Sequence, residues 1–149
     1  MKAFSFRLKS LLHLRESARE KALVGYAKSI QNRQKIESEL KNLEASLEKL
    51  HRDITSRRSS SLEASADQSF QKAVLSLKQN IVDCHAKLED LKQIELSKKN
   101  IFLSADGSLK SIVRLKEKQN LNHISSQLKK EERELDDIIS SRFVSRKAF

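Results

Sequence analysis

Ile36, Leu40, Leu43, Leu47, Leu50 and Ile54 are spaced 4, 3, 4, 3, 4, and Phe70, Val74, Leu77, Ile81, Cys84, Leu88 and Leu91 are spaced 4, 3, 4, 3, 4, 3. Each series is the heptad beat of a coiled-coil seam. The first, read backwards from Ile54, mirrors the second, read forwards from Phe70. Facing positions therefore have indices totalling 124: 54 with 70, 50 with 74, 47 with 77, 43 with 81, 40 with 84, 36 with 88. The pattern predicts an all-α fold, a long two-helix antiparallel coiled-coil hairpin with a longer second helix, as a single domain over 1–149.

Between the seams, RRSSSLEASADQS (57–69) carries no heptad and is rich in Ser. The turn is expected at about 59–67, centred near residue 62, with Ser60 and Glu63 as a capping box or Asp67 as N-cap of the returning helix. Helix one is expected over about 4–58, roughly 80 Å at 1.5 Å per residue, and helix two over about 68–143. The same index total extends toward the termini, pairing Ile30 with Ile94, Leu23 with Ile101, Leu12 with Ile112 and Leu11 with Val113. It does so with a one-residue slip of heptad phase on each strand, between 36 and 30 and between 88 and 94. SADGS (104–108) alone would read as a second turn, giving a three-helix arrangement. With the register kept on both sides, Gly107 falls opposite Ala18 as a kink or a tight packing spot.

Composition fits an elongated helical chain better than a globule. No Pro and two Gly leave little punctuation, and seven aromatics (six Phe, one Tyr) are lean for a compact core. No apolar run is long enough to span a bilayer, and the N-terminus lacks the apolar stretch and cleavage site of a signal peptide, so a cytoplasmic address is expected. One cysteine cannot form an internal disulfide.

Charge is uneven. Residues 1–58 hold 14 Lys/Arg against 7 Asp/Glu, residues 59–107 hold 6 against 7, and residues 108–149 hold 10 against 6. A hairpin lays the two basic segments side by side, so one end of it should seek acidic partners. Helix two overshoots helix one beyond about residue 121. The overshoot contains EERELDDIISSRF (131–143), where Leu128, Leu135 and Ile138 keep an apolar stripe with no intramolecular partner. It either docks on a partner, or frays or folds back.

Motifs of chemistry are mostly missing. Neither glycine stands in a phosphate-binding context. The histidines, 13, 51, 85 and 123, are far apart, and adjacent Cys84 and His85 diverge by about 100° on a helix, badly placed to share a metal. Cys84 in the seam behaves as a small apolar group. Glu131, Glu132, Glu134, Asp136 and Asp137 spread around a solvated face beside Lys129, Lys130 and Arg133. No catalytic residue, cofactor or metal is expected. Glu16 and Glu20 interrupt the basic N-terminal stretch and no aromatics are interleaved for stacking, so nucleic acid is not expected as a partner. FSFRLKSLLHL (4–14) is amphipathic enough to touch a membrane surface, but Leu11 and Leu12 already have seam partners.

The two ends together resemble the flagellar export protein family FliJ. FSFRLKSLLHLRE, with Phe4, Phe6, Arg7, Leu8, Leu11, Leu12, Arg15 and Glu16, is similar to that family's opening pattern. EERELDDIISSRF is similar to its closing pattern, with Asp137 where Glu is commoner; the SADGS segment is unusual. The resemblance implies a non-enzymatic, coiled-coil stalk of the flagellar type III export apparatus, cytoplasmic and peripheral to the inner membrane through its partners. Those partners would be a hexameric export ATPase, the cytoplasmic domain of an export gate membrane protein, and export chaperones. It implies ATPase-ring contacts at Arg7, Arg15, Leu128, Arg133, Leu135, Asp136, Ile138 and Arg142. Gate or chaperone contacts would fall near the hairpin tip, at Glu39, Leu43, Ser46, Leu50, Ala73, Leu77, Asn80 and Cys84. The equivalent stalk of a virulence-type secretion system, or a basic coiled-coil binder of nucleic acid or a scaffold, are the alternatives.

Overall fold

The structure is a computed structural model and describes residues 2–60 and 63–147. Two helices account for nearly all of it, α1 over Lys9–Ser59 and α2 over Ala64–Lys147, packed antiparallel; among the described residues there is no strand. The chain divides into two compact units, Met1–Arg19 with Ser104–Phe149, and Glu20–Leu103.

Within Glu20–Leu103, the seam is the one the apolar spacing predicts. Leu40, Cys84 and Leu88 form a buried cluster with Ile36, Leu43 and Ile81 packed against it, so both members of the expected pairs 40/84, 36/88 and 43/81 share one cluster. Ile54 is buried, and Leu47, Leu50, Phe70, Val74 and Leu77 are half-buried. The Cys84 thiol points at the Ile36 carbonyl oxygen, 3.7 Å away.

Past this cluster the expected phase slip is overturned. Ile94 and Ile101 are 48% and 52% exposed, while Glu95 and Phe102, one residue further on, turn inward. On α1 the inward positions run 36, 33, 29, 26 and 22, the unbroken 3, 4, 3, 4 beat. A phase slip would require the two helices to overwind locally, and the inward positions show that they keep a constant period. Polar side chains fill the seam positions instead. Ser29 is 5% exposed and donates its hydroxyl to the Tyr26 carbonyl at 2.6 Å. The Arg33 guanidinium donates to the carboxylates of Glu95 and Glu37, and Tyr26 stacks on Phe102 with ring centroids 6.2 Å apart. Ile30 and Leu23 remain half-buried at the edge.

Near the reversal, residues 61 and 62, the centre of the expected turn, lie outside the described residues. The helices come closer to it than expected, to Ser59 on one side and from Ala64 on the other. Ser60 does not cap α2: its hydroxyl and its amide both donate back to the Arg57 carbonyl, closing α1. Asp67 sits inside the first turn of α2, where a carboxylate favours the helix N-terminus, and accepts two hydrogen bonds from Arg58, at 2.8 and 3.1 Å.

In the unit of Met1–Arg19 with Ser104–Phe149, Ile112 is 3% exposed and packs with Phe6 and Leu12, flanked by Phe4, Leu11, Leu109 and Val113. Leu12 and Leu11 share this cluster with Ile112 and Val113, the partners the index total assigns them. Residues 4–8 are not helical, contrary to the expected start of helix one at Phe4. The non-helical path lets Phe6 bury, sets the Phe4 ring tilted against His123 at 5.8 Å between centroids, and brings the Lys2 carbonyl to accept from His123 Nε2 at 2.9 Å. Cover along α2 therefore reaches His123, two residues past the expected end of pairing.

Gly107 lies inside α2, which is helical throughout 104–108. A Cβ built on Gly107 meets nothing within 4 Å, so the expected tight packing spot is absent. The helix is held here by a polar cluster instead: Arg15 donates to the Ser108 carbonyl at 2.8 Å, Arg19 to Asp106 at 2.8 Å, and Lys110 pairs with Asp106 at 2.8 Å.

Candidate interaction surfaces

Three regions stand out along the two helices. The first is the C-terminal part of α2, where every residue from 128 to 147 is exposed. Successive residues of a helix turn by about 100°, so Leu128, Leu135 and Ile138 share one stripe, with Ile139 on its edge. Their exposures are 49%, 58%, 51% and 62%. Arg133 and Asp136 lie off the stripe and Arg142 within it, all three exposed. The structure thus brings together six of the residues expected to meet an ATPase ring.

The other two behave differently. Arg7 is exposed just before α1. Arg15 is half-buried and already engaged with the Ser108 carbonyl, so it serves the hairpin first. The charge of this unit is strongly positive, with 15 Lys/Arg against 8 Asp/Glu in Met1–Arg19 and Ser104–Phe149, compared with 15 against 12 in Glu20–Leu103.

The second region lies along Glu20–Leu103, where Glu39, Ser46, Ala73 and Asn80 are exposed and Leu43, Leu50 and Leu77 show one edge beside the seam. Cys84 does not join them. Its side chain is buried in the seam, opposite Leu40, and offers no surface to a partner.

The third region, the polar cluster at 104–110, carries the electrostatics that sequence reasoning missed. Hydrogen bonds from Lys110 and then Arg19 hold the Asp106 carboxyl below the usual carboxylate range. In the other unit, Glu95 and then Glu37 hold the Arg33 proton more firmly than water would. The signal available was charge: Arg19 with Asp106 and Arg33 with Glu95 have totals of 125 and 128, within a turn of the register.

Among the described residues no three His, Cys, Asp or Glu side chains could hold a metal together, and no helix is long and apolar enough to cross a membrane. The fold is a two-helix coiled-coil hairpin whose second helix ends in an exposed stretch with an apolar stripe. The family model described as Flagellar FliJ protein matches residues 4–148, and the chain belongs to that family, whose role lies in flagellar protein export. No curated protein and no solved structure matches the chain.

Proposed function

We propose that this protein is the non-enzymatic stalk of a flagellar type III export apparatus, docking the exposed end of α2 on the hexameric export ATPase. One observation carries the reading: residues 128–147 are exposed throughout, yet keep an apolar stripe of Leu128, Leu135 and Ile138. Lone exposed leucines are ordinary, but a row of them at helical spacing is the form in which a helix enters a partner's groove, one that here would be apolar along the row and charged where Glu131 and Arg142 fall. Arg133, Asp136 and Arg142 border or punctuate that row, and Arg7 adds to the positive field, which suits an acidic rim on the ring. A single asymmetric stalk acts on one subunit interface of a symmetric ring at a time, which couples ring state to stalk position.

Gate and chaperone contacts are assigned to Glu39, Ser46, Ala73 and Asn80 with the outer edges of Leu43, Leu50 and Leu77. The protein then acts in the cytoplasm and meets the inner membrane only through its partners. The family match favours the flagellar over the virulence-type reading.

The test is turnover of the cognate export ATPase with the full chain and with Leu135→Asp/Ile138→Asp. Stimulation by the native chain that falls at least about tenfold with the variant is expected. Undiminished stimulation by the variant would overturn the assignment.

A further inference from the structure

We infer that the exposed end of α2 is complementary to itself, and pairs antiparallel with the same segment of a second copy of this chain. The inference goes beyond docking on the ATPase and rests on a different observation, the placement of two charges. The stripe that contains Leu128, Leu135 and Ile138 also contains Glu131 and Arg142, because all five keep the 3, 4, 3, 4 beat 128, 131, 135, 138, 142. Glu131 and Arg142 are 11 residues apart, about 16 Å along the helix, too far to pair within one chain.

An apolar partner would leave both charges unpaired on burial, which is costly. A second copy laid antiparallel, with its two-fold axis at the Asp136–Asp137 peptide, matches the apolar and the charged layers and leaves a small hydroxyl opposite Leu128. Leu135 then faces Ile138, Glu131 faces Arg142, and Leu128 faces Ser145, each pair totalling 273 and each occurring twice by symmetry. A parallel in-register pair would set Glu131 on Glu131 and Arg142 on Arg142, like charges in the seam. The antiparallel stagger is therefore selected by charge as well as by shape.

Six layers over 128–145 span about 26 Å, fewer than three heptads, and Glu134 lies on the rim beside its own copy near the axis. The pairing is accordingly weak and reversible. It covers the same stripe as the proposed ATPase contact, so a chain paired with its copy is withheld from the ring and released by dilution or by competition.

The experiment is sedimentation velocity on the isolated full-length protein over about 1 µM to 1 mM, free of any ATPase, so that its outcome does not depend on ring docking. The native chain is expected to shift from monomer toward dimer across the series. Glu131→Arg and Arg142→Glu should each abolish the shift, and Glu131→Arg/Arg142→Glu together should restore it. Far-UV circular dichroism should show native helicity in all three, since both side chains are exposed. A chain that stays monomeric at 1 mM, or a dimer indifferent to either single reversal or not restored by the double one, overturns the inference.

Discussion

Arg33 of α1 and Glu95 of α2 meet guanidinium to carboxylate at seam positions, with Glu37 on the same guanidinium, where a coiled coil ordinarily places apolar side chains. Both are less than a quarter exposed. A charge-assisted pair of this kind stabilises little against an apolar replacement of both partners, yet removing one partner strands the other. Its physical effect is to fix which residues face each other.

The first prediction follows from that asymmetry. Glu95→Leu alone should lower the thermal midpoint, because Arg33 keeps only Glu37. Arg33→Leu/Glu95→Leu should recover most of the loss or exceed the native value, and should loosen register, seen as broader or duplicated amide resonances for residues 22–33. A single variant as stable as the double one would show that the pair does not communicate across the seam.

The same layer explains what could be read in advance. From Ile36 to Ile54 and from Phe70 to Leu91 the seam is written in apolar residues, so periodicity alone found it. From Arg33 back to Ala22 and from Glu95 on to Phe102 the seam holds Arg, Ser, Tyr, Glu and Phe, while Ile94 and Ile101 sit one residue away, exposed. Hydrophobicity alone implies a slip in this stretch, whereas the inward-facing positions keep one period because polar and aromatic side chains occupy them. The start of α1 is hidden for a related reason: Phe4 and Phe6 fit a helical pattern but pack against α2 from a non-helical segment. The exposed stripe of α2 was visible because leucine and isoleucine mark it. That Glu131 and Arg142 belong to the same stripe was hidden because they read as surface charge.

Asp106 sets a pH dependence. Its folded pKa lies below the ordinary 3.8 because Lys110 and then Arg19 hold the ionised form. A depressed acid adds stability that is fully present above the unfolded value and is lost as pH falls through the folded one. The thermal-midpoint gap between native and Asp106→Asn should thus be constant from pH 7 to about pH 5, then narrow as pH falls below the ordinary carboxylate range. A gap unchanged down to pH 2.5 would mean that the carboxylate charge contributes nothing.

Gly107 is a position where the chain is less stable than it could be. It is helical, it has no neighbour within 4 Å of an added Cβ, and glycine costs about 0.5–1 kcal/mol relative to alanine in a helix interior. Gly107→Ala should therefore stabilise by about that amount in urea unfolding. A destabilised variant would show that the helix bends or packs closely there.

Ile112 anchors the packing between the start of α1 and the middle of α2. At 3% exposed, among Phe6 and Leu12, it is the best-covered side chain of its cluster. Ile112→Ala should cost about 2–4 kcal/mol, and should also free the Phe4–His123 contact, raising amide exchange at residues 4–8. Loss below about 1 kcal/mol would indicate that the cluster collapses around the gap.

The native cysteine offers the most direct check on the hairpin. Cys84 and Leu40 are both buried in one cluster and occupy facing positions, so a thiol at residue 40 should lie within reach of the one at 84. Disulfides need Cα atoms roughly 4.4–6.8 Å apart with Cβ vectors turned toward each other, which an exposed residue turned about 100° away from the seam on α1 does not satisfy. Leu40→Cys under mild oxidation should give an intrachain crosslink, migrating faster than the reduced chain at every protein concentration, whereas Lys41→Cys should give none. A bond formed between chains would mean that α1 of one copy pairs with α2 of another. Equal crosslinking at 40 and 41 would mean that the two helices slide past each other, and the seam read from Ile36 to Leu91 would then lack a fixed register.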